Sequence, residues 1–254
     1  MKDLTIIVPV IDMDKESNQN LFTRAINSVD DSSIIVVGTE KDINIIESLK
    51  LDKLLRVLIN KSENTSFSFQ VNLAVNEVKS TYFSILEYDD TYTPIWFNNV
   101  QKYIDNDSED TFAFLPLTEI IDVKMGPVGF SNEAVWASSF SEEIGCYDLQ
   151  CLEDYFDFNT SGAVFKTQDF ISLGGLKTSI KLSFWYEFLL RAAYKNKRMF
   201  VIPKIGYTHF IGREDSLSYL YGNNMSESEA NWWINLAKKE YFFPHDRNKT
   251  YQEE

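Results

Sequence analysis

Three apolar runs, LTIIVPV (4–10), SIIVVG (33–38) and LLRVLIN (54–60), constrain this chain more than any other feature. Each is continuous rather than alternating, which is the pattern of a strand covered on both faces, as in a parallel sheet. The segments between them carry apolar residues at helical spacing. Leu21, Phe22, Ala25, Ile26 and Val29 follow Ser17 and Asn18 as candidate caps, and Ile43, Ile46 and Leu49–Leu51 suggest a second helix. The alternation continues with a helix around Val71–Val78, a strand over 81–87, a helix opened by Thr93 and Pro94, and a strand over 111–117 (TFAFLPL). Right-handed βαβ units of this kind predict an α/β fold: a mostly parallel central sheet with helices on both faces.

From about 123 to 160 no period persists, which predicts a long loop or lid over a site. Order returns with GAVFK (162–166), LSFWYEFLLRAAYKN and MFVIPKIGYTHF. A capping box of Ser226 and Glu229 then opens a C-terminal helix with Trp232, Trp233, Leu236 and Ala237. No repeat and no Gly/Pro-rich linker interrupts the 254 residues, so the expectation is a single domain with halves 1–122 and 123–254. No stretch approaches the roughly 18 apolar residues of a transmembrane segment. The N-terminal run is broken by Pro9 and lacks a small-residue cleavage site, so it reads as a strand rather than a signal peptide. Cys146 and Cys151 are the sole cysteines and imply no disulfide framework, so a cytoplasmic protein is expected. The net charge of −14 opposes non-specific binding to nucleic acid or anionic membranes and suits a cation site, though acidity also simply keeps a protein soluble.

One strand ends strangely. YFSILEYDD (82–90) runs from aromatic and branched residues straight into Glu87, Asp89 and Asp90. Like charges this close repel unless a cation sits among them. Ligands of open α/β sheets bind beyond the carboxyl ends of the strands, and carboxylates at i and i+2 suit Mg²⁺ or Mn²⁺ shared with substrate phosphates. The plainer alternative is a turn capped by acidic side chains.

The order TIIVPV, LFTRAINSV, IIVVG and VNLAV…STYFSILEYDD resembles the nucleotide-binding half of family 2 glycosyltransferases with the GT-A fold. SGAVFKTQDFISLGGLK, WYEFLLRAAY and GYTHFIGREDSL are similar to that family's later segments, so the resemblance spans roughly residues 4–217. It implies a GT-A-like domain that moves a sugar from a nucleotide-diphosphate sugar, UDP by preference, to an acceptor hydroxyl with Mn²⁺ or Mg²⁺. Asp89 matches the metal-binding second acid of the D-x-D motif. Glu87 takes the first position, where the family more often has Asp, and would reach the metal or the ribose. Asp90 matches a frequent third acid that orients its neighbours beside the nucleotide sugar. His209 corresponds to the late metal ligand, its alternative being a structural histidine on a strand. Pro9, Val10, Ile11 and Asp12 would line the base and ribose, Glu40 would add a further contact there, and Asn72 matches an Asn placed before the metal strand. Arg213 would clamp the diphosphate or pair with Glu214 or Asp215.

In the late helix the family commonly has Glu-Asp where this chain has Phe184 and Trp185. Glu187 is then the candidate general base, with an i,i+4 ion pair to Arg191 as its alternative role. Glu153 or Asp154 would replace it, or a retaining mechanism would need no base. The family's acceptor is a glycan or glycolipid precursor. The Asn-, Lys- and Ile-rich composition suits a virus-encoded enzyme acting on modified DNA bases, with Lys177, Lys181, Lys195, Lys197 and Arg198 as its basic patch. The missing acids favour a different class, a GT-A-like binding module without catalysis.

Overall fold

A computed structural model of the chain describes residues 1, 3–156, 158–214, 216 and 225–247. The apolar runs form β1 (Leu4–Pro9), β2 (Ser33–Gly38) and β3 (Leu55–Ile59), and β4 (Tyr82–Ile85) follows. These four are mutually parallel in the order β3-β2-β1-β4. Beyond β4 the sheet becomes mixed. The short β9 (Val164–Lys166) lies antiparallel between β4 and β6 (Ala113–Asp122), β6 runs parallel to β10 (Met199–Ile211), and β5 (Thr91–Tyr92) ends the row. Two further strands, β7 (Gly126–Ser131) and β8 (Cys146–Tyr147), pair with β6 and β10.

The helices are α1 (Glu16–Ser28), α2 (Glu40–Ser48), α3 (Phe67–Val75), α4 (Trp96–Asp105), α5 (Leu149–Asp154), α6 (Thr167–Ser172), α7 (Phe184–Tyr194) and α8 (Glu227–Glu240). Successive residues of a strand face opposite sides, so β1 feeds two cores. Ile6 and Val8 pack with Phe22, Ile43 and Phe97 of α1, α2 and α4. Ile7 packs with Val71, Phe170 and Phe188 of α3, α6 and α7. The sheet is thus sandwiched between two helical layers, as the continuous apolar runs require.

Local details depart from the sequence reading. Strand β4 stops at Ile85, and a turn closed by Asp90 N–H to the Glu87 carbonyl (3.0 Å) carries the acidic residues beyond it. Thr93 does not cap a helix: its hydroxyl donates to the Ile205 carbonyl (2.8 Å), and α4 begins at Trp96. Asn18 and Ser17 lie inside α1 rather than capping it, and Asn18 instead donates to the Asp12 carbonyl (3.0 Å). The segment 123–160 is no bare loop, since it holds β7, a 3-10 turn (Glu133–Trp136), β8 and α5. The 3-10 turn, β8 and α5 are too short to display a period, and β7 (GPVGFS) is broken by Gly, Pro and Ser. Ser226 does cap α8, accepting from Glu229 N–H (3.1 Å). Among the described residues no helix is long and apolar enough to cross a membrane.

Candidate active site

The turn after β4 and the end of β10 bring the acidic residues together with His209. Asp90 is fully buried, and its two oxygens accept from His209 Nδ1 and from Phe210 N–H, both at 2.8 Å. Glu87 accepts from the Ser161 hydroxyl (2.7 Å), while its own N–H donates to the Tyr207 hydroxyl (3.1 Å). Ligand-capable atoms of Glu87, Asp90 and His209 all lie within 4.8 Å of one another. With Nδ1 bound to Asp90, the imidazole keeps Nε2 for a ligand, the carboxylate–histidine arrangement common behind metal centres.

The electrostatics are those of a crowded anionic site. Burial, with Asp90 adding to it, pushes the Glu87 carboxyl up to about 7 against the opposing pull of His209. Burial alone would lower the imidazole of His209, but its hydrogen bond to Asp90 and the charges of Asp90, Glu87 and Asp89 raise it to about 9. Asp89 is also raised, by burial and by Asp90, and Arg213 counters this. Asp89 stands outside the three-residue cluster: its Oδ2 is 2.8 Å from Arg213 Nη2. The Arg213 guanidinium lies 5.6 Å from the Tyr88 ring centre. Asp215, the other acidic partner considered for Arg213, is outside the described residues, and Glu214 pairs with Lys124 (2.9 Å).

The residues expected to face the nucleotide gather at the carboxyl ends of β1 and β2. Pro9 and Val10 are buried, Ile11 and Asp12 are exposed, and Glu40 is exposed at the first position of α2. Asp12 has a left-handed backbone (φ 54°), and Asp42 receives the Met13 N–H at 2.9 Å. Asn72 turns elsewhere, donating to the Leu176 carbonyl (2.7 Å) and accepting from its N–H (2.9 Å).

Glu187 has the surroundings of an ion pair, not of a base. Its carboxylate is fully buried, receives Arg191 Nε and Nη2 at 2.9 and 2.8 Å, and lies 3.2 Å from Lys177 Nζ. The alternatives are engaged too: Glu153 accepts from the Tyr241 hydroxyl (2.8 Å) and Asp154 from Gln150 (2.7 Å). At the positions of the missing acids, Trp185 stacks on Phe165 (5.7 Å between centres) and Phe184 packs near Phe67 (5.8 Å). The proposed basic patch does not assemble as a free surface. Lys177 is buried, Lys197 pairs with Asp169 and Arg198 with Glu143, each at 2.6 Å.

Sequence reasoning missed three contributors. Ser161 holds Glu87, and Tyr207 receives its N–H. Arg24 donates to the Asp89 carbonyl and lies 4.1 Å from the Phe210 ring centre. Arg24 stands within the quoted LFTRAINSV, and a cation on a helix otherwise read for its apolar face was the available signal.

No family model matches the sequence, and no curated protein matches it. Solved structures do. Residues 1–349 of S. aureus TarS in complex with UDP superpose with a TM-score of 0.58 at 16% identity, covering 94% of this chain and 72% of that one. The same protein in complex with UDP-GlcNAc gives 0.59 at 14% identity, with the same 94% and 72% coverage. The mannosyltransferase PcManGT from Pyrobaculum calidifontis, in complex with GDP-Man and Mn²⁺, gives 0.61 at 13% identity, covering 94% of this chain and 64% of that one. This chain therefore has the GT-A-like fold of nucleotide-sugar glycosyltransferases.

Proposed function

We propose that this chain is a metal-dependent glycosyltransferase that moves a sugar from a nucleotide-diphosphate sugar, UDP-linked by preference, to an acceptor hydroxyl. The observation that carries this reading is the cluster of Glu87, Asp90 and His209 at the carboxyl end of the sheet, with ligand-capable atoms within 4.8 Å of one another. Two carboxylates and an imidazole fit Mn²⁺ well, since Mg²⁺ takes oxygen ligands almost alone. Glu87 and His209 of that cluster would hold the ion together with Asp89, which stands outside the cluster but on the same turn, and Asp90 would orient His209. When bound, the ion would neutralise the diphosphate leaving group as a Lewis acid.

The chain's own residues do the rest. Pro9–Asp12 and Glu40 receive the base and ribose, Arg213 clamps the diphosphate, and Asp90 fixes the imidazole through Nδ1 (2.8 Å). The acceptor is a glycan or a glycolipid precursor. A nucleic-acid base is disfavoured, because three of the five side chains that would attract it are engaged: Lys177 is buried, Lys197 pairs with Asp169 and Arg198 with Glu143. One observation favours a second reading, a nucleotide-sugar-binding module without transfer: Phe184 and Trp185 pack against aromatic neighbours where acids would stand. A panel of nucleotide sugars assayed with Mn²⁺ for thermal stabilisation and for turnover separates the two. Stabilisation with turnover supports the transferase, stabilisation alone supports the module, and neither outcome with any nucleotide sugar defeats both.

A further inference from the structure

Asp89 and Arg213 are bound to each other at 2.8 Å, with side chains only 13% and 12% exposed. The pair is thus shielded from water, where a charge-assisted contact holds more firmly than on an open surface. It also blocks the role that each partner has in the proposed function, on which this inference rests. Asp89 cannot offer that oxygen to a cation while the guanidinium covers it. Arg213 cannot fork onto a diphosphate while it holds Asp89.

We propose that Arg213 couples the cation to the nucleoside diphosphate by exchange. In the ligand-free chain Arg213 neutralises Asp89. When both ligands arrive, Arg213 turns to the diphosphate and Asp89 is released to the cation. The neighbourhood suits such an exchange. The Arg213 guanidinium carbon lies over the Tyr88 ring, 5.6 Å from its centre, and Arg24 stays on the Asp89 carbonyl, anchoring the turn while the carboxylate changes partner. Removing Arg213 from Asp89 adds that carboxylate to Glu87 for the cation, while Asp90 stays on His209, so each ligand improves the site for the other, and this coupling is reciprocal.

The test is a double-mutant cycle read by calorimetry with UDP in EDTA, so that no metal contributes. Asp89→Asn releases Arg213 from the Asp89 carboxylate and should tighten metal-free UDP binding about tenfold. In an Arg213→Gln background the same change should alter it less than about twofold. Equal tightening in both backgrounds would mean simple loss of a negative charge, and no tightening in either would mean that Arg213 never meets the diphosphate. Either result overturns the exchange. If the unaltered protein binds no UDP even with Mn²⁺, the functional reading itself fails, which is a different outcome. Thermal unfolding checks that each variant is folded. Should Arg213→Gln not be, Arg213→Lys, which keeps the charge but cannot fork, gives the same pattern at smaller amplitude.

Discussion

His209 Nδ1 lies 2.8 Å from Asp90 Oδ2, so a residue of the turn after β4 and a residue near the end of β10 form one unit. The buried carboxylate holds the ring in one orientation and favours its charged form, raising it to about 9.

That relationship sets a pH dependence. A ligating imidazole must be neutral and a ligating carboxylate ionised. In the ligand-free chain His209 titrates near 9 and Glu87 near 7. A cation must therefore displace protons from both below pH 7, and from His209 alone between 7 and 9. Calorimetric Mn²⁺ affinity should rise with pH, by about tenfold per unit where one proton is displaced. His209→Ala should weaken Mn²⁺ by about 10–100-fold and remove the rise above pH 7. A flat profile in the unaltered protein would return His209 to a structural role.

Glu187 predicts a change in stability rather than in rate. Its buried carboxylate faces Arg191 and Lys177, and Lys177 Nζ lies 3.6 Å from Glu240 as well. Glu187→Gln leaves buried cations under-compensated and should cost about 3 kcal/mol. In a domain of this size that lowers Tm by about 6–12 °C. Turnover of the folded enzyme should stay within about twofold. A loss of about 10²–10⁴-fold at unchanged Tm would instead make Glu187 the general base.

Gly162 connects packing to the cluster of Glu87, Asp90 and His209. Its backbone is left-handed (φ 75°), and a Cβ there would stand 2.5 Å from the Tyr207 ring. Tyr207 in turn receives the Glu87 N–H, and Ser161, next to Gly162, donates to the Glu87 carboxylate. Gly162→Ala should therefore cost about 1–3 kcal/mol in backbone strain alone. It should also weaken Mn²⁺ binding by about tenfold, by displacing both partners of Glu87. Lost stability with unchanged Mn²⁺ affinity would confine Gly162 to packing.

The parallel half of the sheet was legible because strands such as β1 and β2 are buried on both faces and write that burial as unbroken apolar runs. The acidic turn was legible because carboxylates have no reason to end an apolar strand. β7 and β8 were not legible: β8 has 2 residues, and the 6 residues of β7, GPVGFS, carry Gly, Pro and Ser instead of an apolar pattern. The partners of the acidic turn were hidden for another reason. Glu87 meets Ser161 and Asp90 meets His209 across 74 and 119 residues of sequence, a pairing set by the sheet order. Whether Glu187 is a base or an ion pair was equally undecidable from spacing, since both place it four residues from Arg191. Its complete burial beside Lys177, which arrives from the α6–α7 connection, is what favours the ion pair.

The most direct measurement is calorimetry of UDP binding to the unaltered protein, in Mn²⁺ and in EDTA, with Asp89→Asn alongside. The account predicts that UDP binds at least about tenfold more tightly with Mn²⁺, because an ion held by the acidic turn would neutralise the charge of the diphosphate. It predicts that Asp89→Asn abolishes that difference in a variant that still unfolds cooperatively, at a Tm lowered by the loss of its shielded ion pair with Arg213. Equal UDP affinity with and without Mn²⁺, or a metal dependence that survives in Asp89→Asn, would contradict the assignment of the turn after β4 as the metal-binding centre of a glycosyltransferase.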